Sequence, residues 1–209
     1  HVAMFELDGF EADDIIGTIA QIAENDPEMH TLILTGDRDS LQLVTDKTYV
    51  VAPVKGVSEV LEYTPAMVFE KTGLRPDQIV DYKSLKGDLS DNIKGVPGIG
   101  EKGAVDLLQK YDHLENIYKN LHELSPGMRK KLEAGEQDSI LSKRLATIIK
   151  DVPIEVHFEE CQIVRAPHAV AKKLFETLEF RSLVKQLDTL KDLVEPPVLA
   201  TQQEQQTMF

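Results

Sequence analysis

Hydrophobic residues recur along the first third of the chain in patterns that predict one helix followed by a small sheet. Apolar residues three or four positions apart over residues 15–23 are typical of an amphipathic helix. The short apolar run at residues 31–35 predicts a buried strand of a parallel sheet. Residues 49–53 and 60–63 predict two further strands, joined by a turn near Gly56.

Helical patterns dominate the remainder of the chain. Thr64 and Pro65 are residue types typical of an N-cap and of the first helical position. Helices are predicted over residues 65–72, 77–85, 101–110, 113–121, 128–132, 137–149, 168–178 and 181–190, and a short one passes through residues 41–44. Residues 154–158 alternate between apolar and polar side chains and predict an edge strand. Residues 195–209 are rich in Gln, Thr and Pro, which indicates a linker or a disordered tail.

Length and composition limit the class of protein. The 209 residues, 42% hydrophobic and 28% charged, suffice for one large globular domain or one and a half. No apolar run approaches the roughly 18 residues of a membrane span, and no signal peptide opens the chain. The single Cys161 excludes an internal disulfide framework and indicates a reducing cytosol. The chain starts at His1 without an initiator Met, so we expect it to be part of a longer protein.

The net charge of −13 is unevenly distributed. Residues 1–47 contain 11 acidic and 2 basic residues, which gives a net charge of −9. Residues 128–150 reverse the balance, with six basic residues against three acidic ones. An acidic pole with a separate basic stretch is typical of a metal site flanked by a phosphate-binding surface, although merely solvated faces give the same pattern.

A glycine-rich segment, residues 86–102 (KGDLSDNIKGVPGIGEK), carries the most specific signal. Gly95, Gly98 and Gly100 allow tight turns and a close approach of the backbone to a ligand, because they lack a Cβ. The helix predicted from Glu101 begins with unpaired N–H groups, which favour an anion such as phosphate. The segment therefore combines carboxylates for cations with amides for a phosphate.

Other interpretations of these glycines fit less well. Residues 98–103 match the dinucleotide fingerprint G-x-G-x-x-G, but that fingerprint follows a buried strand, whereas residues 88–97 are polar and contain a proline. Residues 95–100 have the frame of a Walker A loop, but Glu101 stands where that loop has Lys. A helix–helix turn that binds nothing remains an alternative.

Acidic residues form three clusters, each near a glycine at a predicted strand end or helix start. The clusters are Glu11, Asp13 and Asp14; Asp37 and Asp39; and Asp88 and Asp91. Oxygen ligands of this kind suit Mg²⁺ or Mn²⁺, and two such ions about 4 Å apart can support phosphodiester hydrolysis. Helix capping by the first cluster and pairing of the second with its own Arg38 are the alternatives. The six histidines show no zinc-ligand spacing.

Several motifs in the same order resemble the 5′-nuclease domain of bacterial DNA polymerase I, which belongs to the flap endonuclease family. They are residues 9–14 (GFEADD), 35–39 (TGDRD), 87–102, 141–148 (LSKRLATI) and 178–183 (LEFRSL), so the resemblance covers residues 5–190. It implies an α/β fold in which residues 1–74 form a partial, PIN-like parallel-sheet nuclease core. Residues 75–190 would form a helix-hairpin-helix region with closing helices, and residues 191–209 the linker or tail.

The resemblance also implies roles for individual residues. Glu11, Asp13 and Asp14 would help to hold a first Mg²⁺ or Mn²⁺ ion, whereas Asp37, Asp39, Asp88 and Asp91 would hold a second. Of these, Asp13, Asp37 and Asp88 are the predicted catalytic residues. The predicted DNA-binding residues of the hairpin, which in this family often binds K⁺, are Lys94, Gly95, Val96, Gly98, Ile99, Gly100 and Lys102.

The predicted function is two-metal 5′-3′ exonuclease and flap endonuclease activity on duplex DNA with a 5′ flap or 5′ end, in replication and repair. In the family, an amino-terminal strand, two further acidic ligands and a helical arch precede the position of Glu11, so we expect this chain alone to have little activity. A polymerase domain linked to it and a location in the bacterial cytoplasm, with no membrane partner, are also expected. A non-catalytic duplex-binding module and a PIN-like ribonuclease are the alternatives.

Overall fold

The computed structural model describes residues 2–55, 59–162 and 168–189. The helices are α1 Ala12–Glu24, α2 Pro65–Thr72, α3 Ile79–Lys86, α4 Glu101–Tyr111, α5 Leu114–Lys119, α6 Pro126–Ala146, α7 His168–Thr177 and α8 Arg181–Thr189. The strands are β1 Thr31–Leu34, β2 Thr48–Lys55 and β3 Glu59–Tyr63. Short 3-10 helices lie at Arg38–Leu43, Pro76–Gln78, Leu121–Glu123 and Phe158–Cys161.

The chain divides into two compact units, and every site described below belongs to one of them. That unit comprises residues 6–155, and the other comprises residues 1–5 and 156–209. The sequence-based division at residue 74 stays a prediction, and the predicted tail over residues 191–209 lies outside the described residues.

The sheet has the order β1-β2-β3 and combines two kinds of pairing. β1 and β2 are parallel, with Ile33 opposite Val50, and β2 and β3 are antiparallel, with Ala52 opposite Leu61. The predicted parallel strand and the mixed α/β class are therefore confirmed. The connection from β1 to β2 passes through the 3-10 helix Arg38–Leu43, not an α-helix, and the predicted turn at Gly56 lies outside the described residues.

The helical part of the same unit is built around apolar side chains that are fully shielded from water. Leu85 of α3, Leu108 of α4 and Ile117 of α5 are each 0% exposed, as is Leu132 of α6, and Val96 from the glycine-rich segment is 2% exposed. Burying an aliphatic side chain of this size stabilises the fold by about 1.5–3 kcal/mol. This core fixes α3 and the hairpin that follows it against α6.

Helix α6 is one continuous helix, so the prediction of two helices over residues 128–132 and 137–149 is wrong. Ser125 caps it, since its Oγ accepts a hydrogen bond from the Met128 N–H at 3.4 Å. The apparent break contains Gly135, which is buried in mid-helix. A glycine in mid-helix lowers the stability of the helix by only about 1 kcal/mol relative to alanine. The missing side chain of Gly135 makes room for Val96.

A buried carboxylate ties α3 to α5 and α6. Asp81 has a side chain only 2% exposed, and its Oδ1 lies 2.7 Å from the Lys143 Nζ. Its Oδ2 lies 3.0 Å from His113 Nδ1 and accepts a hydrogen bond from the Leu114 N–H at 3.2 Å. Burial alone lowers the pKa of Lys143, but its contacts with Asp81 and Glu115 outweigh that effect and raise it.

The segment after α6 is hydrogen-bonded to the amino-terminal part of the chain. Gln42 donates to the Ala146 carbonyl at 2.9 Å and accepts from the Ile148 N–H at 3.0 Å. The Val152 N–H donates to Thr18 Oγ1 at 3.0 Å. These bonds attach residues 146–152 to α1 and to the 3-10 helix that follows β1.

At its other end, α1 is fastened to the start of β2. The Glu24 carboxylate accepts hydrogen bonds from the hydroxyls of Thr45 and Thr48, the latter at 2.9 Å. The bond from Thr45 is the main reason why the pKa of Glu24 is lowered, and Thr48 and Lys47 add to it.

The carboxyl-terminal helices α7 and α8 confirm the predicted pair. The rings of Phe175 and Phe180 lie 6.4 Å apart, and Lys172 Nζ lies 3.0 Å from Asp188 Oδ1. The edge strand predicted over residues 154–158 is wrong, because that stretch is irregular and leads into the 3-10 helix Phe158–Cys161. Alternation alone cannot make a strand where no neighbouring strand pairs with it, and none does so in the described ranges.

Among the described helices, none combines the length and the apolar character that crossing a bilayer requires.

Candidate metal centre and nucleic-acid interface

The second acidic cluster lies where β1 ends. The Asp37 N–H donates to Thr35 Oγ1 at 3.0 Å, and Asp37 Oδ1 in turn accepts from the Asp39 N–H at 2.9 Å. Asp37 thereby caps the 3-10 helix Arg38–Leu43, in which Ser40, Leu41, Gln42 and Leu43 are buried. The carboxyl end of a strand in an α/β sheet is a common place for a ligand, and these turns fix both carboxylates there.

The third cluster lies in a tight loop that α3 delivers. Asp88 and Ile93 exchange backbone hydrogen bonds of 2.8 and 2.7 Å, which closes the loop. Gly87 and Asn92 adopt positive φ angles of 81° and 57°. The Ser90 N–H donates to Asp88 Oδ1 at 3.0 Å, so that the other oxygen of this carboxylate is turned towards α3.

The structure brings the second and third clusters together. One carboxylate oxygen each from Asp39, Asp88 and Asp91 can be chosen so that all three lie within 4.8 Å of one another. These oxygens come from two parts of the chain, the segment after β1 and the loop after α3, and converge on one point. Such a set of hard oxygen donors could hold a metal ion.

A lysine stands at the point where these carboxylates converge. Lys83 Nζ lies 2.8 Å from Asp88 Oδ2 and 3.5 Å from Asp91 Oδ2, and it is also bonded to Asp39 Oδ1. Burial alone lowers the pKa of Lys83, but its bonds to Asp39 and Asp88 outweigh burial and raise it. The hydrogen bond from Lys83 is the main reason why the pKa of Asp88 is lowered to about 2, and hydrogen bonds from Ser90 contribute. For Asp39, burial raises the pKa and Lys83 opposes the shift without cancelling it.

Two members of the first acidic cluster have different surroundings: Asp13 lies near the other carboxylates, whereas Asp14 is hydrogen-bonded to the backbone. Burial raises the pKa of Asp13, and Asp37 and Asp39 raise it further, so this carboxylate belongs to the same acidic region. Asp14 instead accepts hydrogen bonds from the N–H groups of Glu11, at 3.2 Å, and Ile149, at 2.8 Å, one at each oxygen. Glu11 is exposed at the start of α1.

The converging carboxylates lie in a cavity of about 730 Å³. Its wall includes Asp37, Asp39, Asp88 and Asp91 together with the basic residues Arg38, Lys71, Lys83 and Lys86. An acidic floor with lysines and an arginine around it can bind cations and a phosphate side by side.

The glycine-rich hairpin depends on close backbone contact. A Cβ added to Gly95, whose φ is +64°, would lie 2.3 Å from the Gly87 nitrogen. The Val96 N–H donates to the Leu85 carbonyl at 2.8 Å and the Ile99 N–H to the Val96 carbonyl at 3.0 Å. Gly98 and Gly100 are exposed beside the start of α4.

Helix α6 holds the hairpin from behind. The buried Ser142 Oγ accepts a hydrogen bond from the Gly95 N–H at 3.0 Å. Lys131 Nζ donates to the Gly98 carbonyl at 2.8 Å, and Lys94 Nζ lies 2.8 Å from Asp138 Oδ2. Of the predicted hairpin residues, Gly95, Val96 and Ile99 are therefore turned inward, whereas Lys94, Gly98, Gly100 and Lys102 face solvent.

The sequence did not predict the contacts through which Lys83 organises the carboxylates and Lys131 and Ser142 organise the hairpin. Little in the sequence pointed to Lys83, because its burial, like that of Asp81 and Ser84 in the same short helix, is visible only in the structure. Charged residues on a buried face need partners of opposite charge, and the nearby Asp88 was available as one.

The chain belongs to the 5′-3′ exonuclease family. The family model described as the N-terminal resolvase-like domain matches residues 1–73, and the model described as the C-terminal SAM fold matches residues 74–169. Both halves of the family thus occur here in the expected order, and the resemblance inferred from the motifs is confirmed.

Among curated proteins, DNA polymerase I of Bacillus subtilis is 43% identical over 187 residues, which are 89% of this chain and 21% of that protein. The thermostable DNA polymerase I of Thermus thermophilus is 42% identical over 187 residues, again 89% of this chain and 21% of that protein. The chain spans about a fifth of the length of these relatives and corresponds to their 5′-3′ exonuclease region.

Solved structures show the same fold. A mutant of T5 5′-exonuclease has a TM-score of 0.60 and 26% identity, over 69% of this chain and 58% of that one. A structure described as divalent metal ions (zinc) bound to T5 5′-exonuclease has a TM-score of 0.59 and 25% identity, over 69% of this chain and 52% of that one. These neighbours confirm a nuclease fold with an α/β core and a helical region.

Proposed function

We propose that the chain is the metal-dependent 5′-3′ exonuclease and flap endonuclease part of a DNA polymerase I, acting on duplex DNA with a 5′ flap or 5′ end. The observation that carries the proposal is the convergence of Asp39, Asp88 and Asp91 on one point, with their oxygens within 4.8 Å of one another. Arg38 and Lys71 on the wall of the same cavity also support the proposal, because their positive charges could bind the phosphate of a nucleic acid.

We propose two Mg²⁺ or Mn²⁺ ions, and the all-oxygen donors of the acidic residues support this choice of metal. Asp37, Asp39, Asp88 and Asp91 would hold one, and Glu11, Asp13 and Asp14 would help to hold the other. Asp14 already accepts a backbone hydrogen bond at each oxygen, from Glu11 and from Ile149. When bound, such ions activate a water molecule and stabilise the attacking and leaving oxygens of the phosphodiester. Asp13, Asp37 and Asp88 are proposed as the catalytic residues, and their part is to fix the ions against the substrate phosphate.

The hairpin is the proposed duplex-binding element. The exposed backbone of Gly98 and Gly100, the start of α4, and Lys102 offer contacts to phosphates without reading bases. Lys94 can join them if it leaves Asp138. A K⁺ ion at the hairpin is also proposed, and it would use carbonyls other than that of Gly98, which Lys131 already engages. The same proposal includes a role in replication and repair, a linked polymerase domain and a place in the bacterial cytoplasm, and the curated relatives support it.

Titration of Mn²⁺ by calorimetry tests the metal centre. We expect Asp88→Ala to weaken binding strongly, whereas Asp151→Ala, which removes an exposed carboxylate outside the cavity, should leave it unchanged. Equal affinity of the parent chain and Asp88→Ala would count against the proposed ligands.

Fluorescence anisotropy tests the hairpin. A duplex probe should bind at low salt, with a slope of about −0.9 in log K against log salt for each phosphate contact. Lys102→Ala should weaken binding equally for all sequences, and Lys119→Ala, an exposed lysine of α5, is the matched control. An equal effect of the two changes would reduce the hairpin to a structural turn.

Cleavage of a 5′-flap DNA distinguishes the proposed nuclease from a non-catalytic binding module. We expect the longer protein that carries this chain to cleave it in the presence of Mg²⁺, and Asp88→Ala to abolish cleavage. A flap of the same sequence made of RNA separates this activity from that of a ribonuclease.

A further inference from the structure

We propose that Lys83 is the resident cation of the metal centre and that its ammonium exchanges with a divalent ion when the centre is loaded. The inference rests on the proposed function, since it assumes that Asp39, Asp88 and Asp91 hold a divalent ion. It assigns to Lys83 the role of a positioning residue that sets how tightly the ion binds.

The position of Lys83 is that of a bound cation. Its side chain is only 10% exposed, and its ammonium touches all three carboxylates that converge there, at 2.8 Å for Asp88 and 3.5 Å for Asp91, with Asp39 in direct contact. A lysine engaged in an ordinary surface pair has one partner and remains in water. Lys83 instead has three carboxylate partners and little contact with solvent.

The charges explain why a cation is needed before any metal binds. Three carboxylates with oxygens within 4.8 Å of one another repel each other, and partial burial strengthens that repulsion because less water screens it. One ammonium reduces the charge of this group from −3 to −2, and a divalent ion in its place would reduce it to −1. The lysine therefore keeps the carboxylates together in the metal-free chain.

The ammonium and a divalent ion cannot share the position. A Mg²⁺ ion bonded to carboxylate oxygens lies about 2.0–2.1 Å from them, so an ammonium on the same oxygens would be only a few ångströms away and strongly repelled. The stem of a lysine is flexible, and the adjoining cavity of about 730 Å³ gives it room to turn away. The backbone of α3 can stay in place meanwhile, because Leu85 and Ser84 next to Lys83 are fully buried.

Exchange has two consequences that a purely structural ion pair would not have together. Metal binding must displace the ammonium, so Lys83 weakens the apparent affinity for the ion. The metal-free chain depends on Lys83 for stability, and that dependence disappears once an ion has replaced it.

The experiment combines calorimetric titration of Mn²⁺ with thermal unfolding of the whole chain, with and without saturating Mn²⁺. The variants are Lys83→Met, Lys83→Gln as a polar alternative should the first fold poorly, and Lys83→Arg, which keeps the charge. Lys86→Met is the matched control, because Lys86 lines the same cavity on the same helix but stacks on Tyr82, with its Nζ 5.2 Å from the ring centroid.

We expect Lys83→Met and Lys83→Gln to bind Mn²⁺ at least about tenfold more tightly than the parent chain, because the competing charge is gone. Both should unfold at a lower temperature without metal, and saturating Mn²⁺ should close that gap. Lys83→Arg should stay near the parent in affinity, and Lys86→Met should change both quantities little.

Unchanged or weaker Mn²⁺ affinity in both neutral variants would overturn the exchange. The metal centre itself would stand if Asp88→Ala strongly weakens Mn²⁺ binding in the parent background. If Asp88→Ala leaves Mn²⁺ binding unaltered, the metal centre itself is wrong and the exchange falls with it. The two failures are thus distinguishable.

Discussion

Gly135 lies so close to Val96 that a Cβ at position 135 would stand 2.7 Å from Val96 Cγ1. The same Cβ would lie 3.3 Å from Pro97 Cδ. Val96 is itself buried in the core, so it has little freedom to give way. The contact joins the middle of α6 directly to the hairpin, and Ser142 strengthens the junction through its bond to Gly95.

This contact predicts that Gly135→Ala destabilises the chain even though alanine favours helices. We expect a loss of about 1–3 kcal/mol in the free energy of unfolding, typical of overpacking a rigid core. Gly127→Ala in the first turn of α6 is the control, because a Cβ there meets nothing within 4 Å. Urea unfolding monitored by circular dichroism measures both, and a stabilised Gly135→Ala variant would contradict the close packing.

Gly95→Ala is predicted to disrupt the hairpin more severely. Its positive φ costs a side chain about 1–3 kcal/mol, and the added Cβ would meet the backbone of Gly87 at 2.3 Å. We expect a total loss above about 3 kcal/mol, accompanied by loss of duplex binding. Gly100→Ala, where a Cβ meets nothing within 4 Å, should keep its stability and so report on DNA contact alone. Equal unfolding midpoints for the two variants would refute this difference.

Asp81→Asn should destabilise the chain by about 2–3 kcal/mol, because the change removes the charge that the partly buried Lys143 faces. Asp106→Asn on the exposed side of α4 should change stability by less than about 0.5 kcal/mol. Chemical unfolding at neutral pH compares them. An unchanged free energy of unfolding in Asp81→Asn would contradict this role of the Asp81 charge.

The pKa of Glu24 predicts part of the acid sensitivity of the fold. Because this pKa is lowered below its ordinary value of 4.5 in the folded chain, the carboxylate stabilises the fold above pH 4.5, and that contribution is lost as the pH falls through the folded pKa. Glu24→Gln should cost about 1–2 kcal/mol at pH 7 through its weakened bonds to Thr45 and Thr48. The difference between parent and variant should shrink below pH 4.5 in unfolding experiments. A difference that persists unchanged at low pH would exclude an ionised Glu24 as its source.

Local patterns were sufficient for many elements. The helical spacing of apolar residues predicted α1 and α4, and the Thr64–Pro65 pair marked the start of α2, where Thr64 Oγ1 accepts a hydrogen bond from the Met67 N–H at 3.3 Å. These features depend on residues within one or two turns of each other, so a single sequence contains them.

Features that depend on distant residues could not be predicted in the same way. Gly135 resembles a helix break until Val96 is known to need its space, and residues 154–158 resemble a strand until the absence of a described pairing partner is seen. The acidic clusters were visible as candidate ligands, but the contact of Lys83 with Asp39 joins residues 44 positions apart. No local pattern specifies such a contact.

The hydrogen bonds of residues 146–152 to the amino-terminal part of the chain bear on the order in which the protein is completed during synthesis. Asp14 receives its bond from Ile149, which lies 135 residues later, and Gln42 receives one from Ile148, 106 residues later. A nascent chain that ends before these residues has the acidic start of α1 without its anchor. The ribosome therefore makes the carboxylates at the start of α1 early, but Asp14 becomes fixed only when the last part of the unit over residues 6–155 has emerged.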